Sequence, residues 1–185
     1  MRLVIGLTGS TGVIYGIRML EVLKKQNIET HLVMSEWAEK CISMETKHDV
    51  EYVKSLATTT SDENNMASSV SSGSHKTNGM IVIPCSMKTL SSVANGYDET
   101  LVARAAGVTL KEGRKLILVA RETPLTAINL ENMLKLARPG VVILPPVTEF
   151  YTNPSSIESM IDHIVGKCLD QFDIEHDLFR RWGSN

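Results

Sequence analysis

Three short stretches carry residue types that could do chemistry. The first is "GLTGSTGVIYG", where Gly6, Gly9 and Gly12 follow an apolar run and enclose Ser10 and Thr11. Free backbone N–H groups at a helix start, the helix dipole and two hydroxyls would together favour an anionic group such as a phosphate. The same glycines would otherwise serve only a tight turn. The loop has neither the Gly-Lys-Ser/Thr of a Walker loop nor GxGxxG spacing, so it is neither of the two common phosphate loops. The second stretch, "IPCSMKT", puts Ser86, Lys88 and Thr89 after another apolar run. The third, "ARETP", sets Arg121 beside Glu122 just before Pro124. That pair is either placed for chemistry at a strand end or is a surface ion pair of little energetic worth.

Single residues add to these. Ser35 follows the run "ETHLVM", with Glu36 next to it. A dinucleotide site wants an acid at that point for the nicotinamide ribose; a hydroxyl suits a ribityl chain or a phosphate better. Arg104 and Lys111 are seven residues apart in "ARAAGVTLK", near one face of a helix and two turns from each other. They, Lys167 and Tyr151 would either converge on one anion or be solvated surface residues. The chain carries no DDxxD-type acidic cluster and no metal-ligand spacing, so charge on a phosphorylated substrate would be met by Arg, Lys and Tyr and not by Mg²⁺. Cys85 is either a nucleophile without a readable His partner or a small buried hydrophobe.

The elements that must position these residues alternate. Continuous apolar runs at 3–7, 28–34, 80–83, 115–120 and 141–144 predict strands, with Pro84 stopping the third. Apolar residues at helical spacing predict helices over 13–25, 36–44, 50–56, 86–96, 100–110, 129–137 and 155–172. Such a pattern implies an α/β fold with a doubly wound parallel sheet covered on both faces, Rossmann- or flavodoxin-like. The polar stretch at 58–79, rich in Ser, Thr and Asn, reads as a surface loop or a functional one.

With 185 residues, 43% of them hydrophobic, the expectation is one domain over 1–185, with a C-terminal arm from about 173. Charge is nearly balanced, 19 Lys and Arg against 21 Asp and Glu, which argues against a nucleic-acid binder. No apolar stretch approaches the ~20 residues of a membrane span. Three cysteines without CxxC spacing point to a reduced, cytoplasmic chain.

Taken together, "GLTGSTGVIYGIRML", "GMIVIPCSMKTL", "ARAAGVTLKEGRKLILVARETPL", "PPVTEFYTNPSSIESMIDHIVGKCLDQF" and the terminal "RRW" resemble the flavin prenyltransferases of the UbiX type. That family includes the small B partners of phenolic-acid decarboxylases. The resemblance implies a metal-independent enzyme, often dodecameric. It would join the dimethylallyl group of dimethylallyl monophosphate to N5 and C6 of reduced FMN, giving prenylated FMN for a UbiD-type decarboxylase. The alternative is a non-catalytic FMN-binding accessory subunit of such a decarboxylase.

By resemblance, Gly9, Ser10, Thr11, Ser35, Ser86, Met87, Lys88, Thr89 and Arg121 would contact FMN. Tyr151 and Lys167 would hold the prenyl phosphate, with Lys111 and Arg121 nearby. Glu45, Arg104 and Glu122 would line the reaction centre, and Trp182 would close it across a subunit boundary. Three positions depart from the common pattern: Ser10-Thr11 replaces Ala-Ser, Gly107 stands where a carboxylate is usual, and Lys167 stands where many members have Arg.

Overall fold

The computed structural model describes residues 1–183, so the last two residues of the expected domain lie outside the described ones. Six strands form one sheet: β1 (Arg2–Leu7), β2 (Glu29–Met34), β3 (Thr59–Asp62), β4 (Gly79–Cys85), β5 (Lys115–Ala120) and β6 (Val142–Ile143). Their order is β3-β2-β1-β4-β5-β6 and every pairing is parallel. The chain winds outward from β1 in one direction, then restarts at β4 and winds outward in the other. The order therefore reverses between β1 and β4, and the crevice beyond their carboxyl ends is where open α/β sheets bind ligands.

Seven helices cover the sheet: α1 (Val13–Lys25), α2 (Glu36–Glu45), α3 (Val50–Leu56), α4 (Met87–Asn95), α5 (Leu101–Lys111), α6 (Ala127–Ala137) and α7 (Ile157–Asp170). Alternate strand residues feed two separate cores. Leu3, Ile5, Leu7, Ile81 and Ile83 pack under α1 and α7, while Val4, Met80, Val82 and Leu118 pack under α4 and α5. Each fully buried Leu or Ile contributes about 1.5–3 kcal/mol. Both faces being buried is why the strands read as unbroken apolar runs.

Two expectations change. The stretch at 58–79 is not all loop: Thr59–Asp62 pairs in parallel with β2, as the polar edge of the sheet, and Ser69–Ser71 forms a 3-10 turn. An edge strand faces solvent, so it lacks the apolar run that marks the inner strands. Pro84 does not stop the third strand either. β4 runs to Cys85, with the pairing to β5 shifted between Val82 and Cys85. The irregularity accommodates a residue that has no N–H to give to the ladder.

Pro84 instead supplies an acceptor. Its carbonyl takes the backbone N–H of Thr8 at 3.2 Å and the Thr8 hydroxyl at 2.9 Å, and that same hydroxyl oxygen accepts the backbone N–H of Ser86 at 2.8 Å. One buried side chain thus ties the exits of β1 and β4 together. Thr8→Val would leave the Ser86 N–H without its partner, a loss of about 1–3 kcal/mol. Thermal melting should show Thr8→Val well below the parent and Thr8→Ser close to it; equal melting temperatures for all three would make the hydroxyl energetically idle.

Candidate active site

Beyond the β1–β4 junction the loop 8–12 turns into α1. Gly12, the residue before the helix, has φ 99°, a left-handed conformation that favours glycine. A Cβ on Gly9 would lie 2.3 Å from Cβ of Trp37, so the loop can approach α2 only without a side chain there. The Ser10 hydroxyl donates to the carbonyl of Arg121 at 3.2 Å. The Gly12 N–H donates to the carboxylate of Glu45, at the end of α2, at 2.8 Å.

Two more helices open onto the same edge. Ser35 caps α2, its Oγ accepting the Ala38 N–H at 3.1 Å. Ser86 caps α4, accepting the Thr89 N–H at 3.3 Å and donating to the Thr89 hydroxyl at 3.2 Å. Each cap stabilises its helix by about 1 kcal/mol and leaves N–H groups of the first turn facing outward. Between them lies a cleft of ≈ 150 Å³ whose lining includes Thr8, Gly9, Ser35, Trp37, Ser86 and Thr89. Lys88 and Glu63 stand at its wall, and burial pushes the Glu63 carboxyl above its usual range. Helix-start amides, hydroxyls and one ammonium suit a phosphate and a polyol chain, so this donor set fits FMN.

The second part of the site is built from the far end of the chain. The backbone N–H of Arg121 donates to Cys85 at 3.0 Å, which holds it beside β4. Tyr15 on α1 lies within electrostatic reach of both Arg121 and Glu149, and burial, the larger effect, raises its hydroxyl pKa. Glu149 pairs with Nε2 of His163 on α7 at 3.2 Å. The edge of Tyr151 meets the His163 ring at 5.8 Å between centroids, and Trp182 lies 5.4 Å from Tyr151. Lys167 is one turn beyond His163 and 4.0 Å from Asp170. The glycine loop thus meets Arg121 through Ser10, and Tyr151 meets His163 and Trp182, with Lys167 one turn further along α7.

Residues 1–176 match the Flavoprotein family. The chain is 48% identical over 185 residues to the flavin prenyltransferase UbiX of Thauera aromatica, covering 100% of this chain and 95% of that protein. The chain belongs to the UbiX-like flavin prenyltransferase family. Two solved relatives have the same fold throughout. The dodecameric FMN-dependent UbiX-like decarboxylase of Escherichia coli O157:H7 superposes with TM-score 0.98 at 49% identity, covering 100% of both chains. AnUbiX (PadA1), solved in complex with FMN and dimethylallyl pyrophosphate, gives TM-score 0.97 at 50% identity, over 99% of this chain and 97% of that one.

Not every candidate site residue of this flavin prenyltransferase reaches the cleft of its own chain. Arg104 donates from Nη1 to Asp98 at 3.1 Å and from Nε to the carbonyl of Ser71 at 3.0 Å. Lys111, at the opposite end of α5, pairs with Glu112 at 2.7 Å. Arg121 and Glu122 form no ion pair with each other or with another of the described residues. The Glu122 carboxylate is exposed and accepts only the Thr123 N–H, at 3.0 Å. Thr11 is exposed on the loop, and the Met87 side chain packs onto the core under α4. Cys85 is fully buried and its thiol is pushed up to about 12 by desolvation, so it is a core residue and not a nucleophile. The C-terminal arm folds back on α7 of its own chain, with Arg181 bound to Asp170 at 2.7 Å.

Thr8, Tyr15, Trp37, Glu63, Glu149 and His163 were not singled out by sequence. Thr8 alone carried a readable signal, as the first polar residue after β1. The Gly107 departure, by contrast, finds an explanation. A Cβ there would stand 2.9 Å from Oδ1 of Asp98, the carboxylate that holds Arg104. Gly107→Asp should therefore lower the melting temperature, and Asp98→Ala in the same chain should restore most of it; an additive loss in the double variant would separate the two positions. Native protein at pH 8 should also leave Cys85 and Cys168, each held near 12, unlabelled by iodoacetamide until urea unfolds the chain. Peptide mass spectrometry reads this, and modified Cys85 in folded protein would contradict its burial.

Proposed function

We propose that this chain joins the dimethylallyl group of dimethylallyl monophosphate to N5 and C6 of reduced FMN and hands prenylated FMN to a UbiD-type decarboxylase. The observation that carries this is the junction of two half-sites. A polar, helix-start cleft at the sheet's switch point suits the nucleotide, and Tyr151 in the loop before α7 together with Lys167 on α7 suits a phosphate ester. The likeness to a relative solved with FMN and dimethylallyl pyrophosphate supports both halves.

Gly9, Ser10, Thr11 and Ser35 hold the nucleotide together with the first turn of α4, Ser86 to Thr89, and with Arg121. Tyr151 and Lys167 hold the phosphate of the prenyl donor. Reduced FMN supplies the electron-rich ring that takes up the allyl group. The allylic C–O bond breaks as positive charge grows on the prenyl fragment and negative charge on the departing phosphate. Fixed cations beside that phosphate lower the barrier because they are in place before the charge develops. Glu45 steadies the glycine loop through the Gly12 N–H and lines the reaction centre. Glu122, or the departing phosphate, takes up the proton released as the second bond closes.

The assembly is a homo-oligomer, a dodecamer as in the solved Escherichia coli relative. Arg104 and Lys111, each paired with a carboxylate away from the cleft of its own chain, serve the cleft of a neighbouring copy, while Trp182 covers Tyr151 of its own chain. No helix among the described residues is long and apolar enough to cross a membrane. The unpaired cysteines support a cytoplasmic setting.

Anaerobic incubation with reduced FMN and dimethylallyl monophosphate, in parallel with the pyrophosphate, should yield a flavin heavier by one prenyl unit. Glu122→Gln should bind FMN normally and slow that product by roughly 10²–10⁴-fold. Unchanged turnover would remove Glu122 from the mechanism. FMN returned unaltered by the parent protein with both donors would favour a carrier.

A further inference from the structure

Resting on the reading of Tyr151 and Lys167 as the ester-holding pair, we propose that His163 is a positioning residue for that pair. It fixes the loop bearing Tyr151 onto α7 through its contact with Glu149.

Three segments meet at this one ring. Glu149 and Tyr151 belong to the loop between β6 and α7, His163 and Lys167 lie one turn apart on α7, and Phe179 belongs to the C-terminal arm. Phe179 stacks on the imidazole at 4.3 Å and 24°, while Tyr151 meets it edge-on at 85°. The ring is only 3% exposed.

If packing were its whole task, a phenyl ring would serve better. Burial, outweighing the opposing pull of Glu149 and Asp170 and reinforced by Lys167, holds the imidazole below its usual pKa and hence neutral at pH 7. Nε2 of the neutral ring lies 3.2 Å from the Glu149 carboxylate, while Nδ1 is a buried nitrogen with no partner. An unpaired buried nitrogen is a cost that phenylalanine would avoid. What the imidazole gains in return is the carboxylate of the loop, two residues before Tyr151. The edge contact then sets the tilt of the Tyr151 ring, and the helical step from His163 to Lys167 sets the distance between phenol and ammonium.

The test uses the assembled full-length enzyme. His163→Phe keeps both ring contacts and deletes the polar contact with Glu149. Its KM for dimethylallyl monophosphate should rise about tenfold, with kcat and FMN affinity within about twofold of the parent. Glu149→Ala should do the same, Glu149→Gln should recover most of the loss, and the double variant His163→Phe/Glu149→Ala should be no worse than either single one. Hydrogen exchange of residues 145–154 should quicken in both single variants.

An unchanged KM, an FMN affinity that falls in step with KM, or additive effects would overturn the proposal. Should His163→Phe fail to fold, Glu149→Ala and Glu149→Gln decide. If the parent makes no prenylated flavin, the function proposed above fails. The positioning role then stands or falls on the exchange of 145–154 alone.

Discussion

The site depends on one buried hydroxyl. Thr8 gives its proton to the Pro84 carbonyl and takes the Ser86 N–H, so the exit of β1 and the start of α4 cannot move independently. The parallel sheet brings these two strands side by side with opposite winding on either flank. That arrangement leaves a crevice but does not set its width. The hydroxyl sets it, and with it the separation between the glycine loop and the Ser86 cap. Arg121 is held to the same point from the third side, through Cys85 and through the Ser10 hydroxyl. Polar backbone that would otherwise be orphaned at a buried strand end is therefore used to align three loops.

The division of labour between the two half-sites follows from their surroundings. At the sheet edge, helix-start amides offer many weak donors in fixed positions, which suits a ligand that must be held flat and still. At α7 and the loop before it the groups are fewer: the Lys167 ammonium, the Tyr151 phenol and the close Glu149–His163 pair braced by aromatic rings. A leaving phosphate needs concentrated positive charge near it only as the bond breaks.

Periodicity made the inner strands and most helices legible, because burial on two faces or on one stripe writes itself into the pattern of apolar residues. β3 was missed since an edge strand of Thr59, Thr60, Ser61 and Asp62 buries little. Pro84 misled because a bulged pairing can absorb it. In the site, the glycine loop and the Ser35 and Ser86 caps were readable from position alone, at the ends of strands. Glu149 and His163 were not: they lie 14 residues apart on a loop and a helix, and only the fold of that loop against α7 joins them. The seven-residue spacing of Arg104 and Lys111 allows either convergence on one anion or two solvated surface residues. In the fold α5 carries them to opposite ends, each with its own carboxylate.

Those two cations bear on a question of size. A cleft of ≈ 150 Å³ is about half the smallest volume typical of sites that enclose a small ligand, roughly 300 Å³. Trp37 in its lining is 62% exposed, and by Tyr151 Phe150 is 74% and Trp182 82% exposed, an unusual amount of bare aromatic surface. A site that is too shallow, rimmed by uncovered rings and missing two of its expected cations has the form of one wall of a larger enclosure. The other walls must then come from further copies of the same surface, since the proposed assembly is built from one chain. In that arrangement the rings would be buried by assembly, water would be kept from the forming carbocation, and Arg104 and Lys111 would serve the cleft of a neighbouring copy. Assembly and chemistry would then be one requirement, and any substitution that loosens the contacts between copies should lower turnover before it unfolds a subunit.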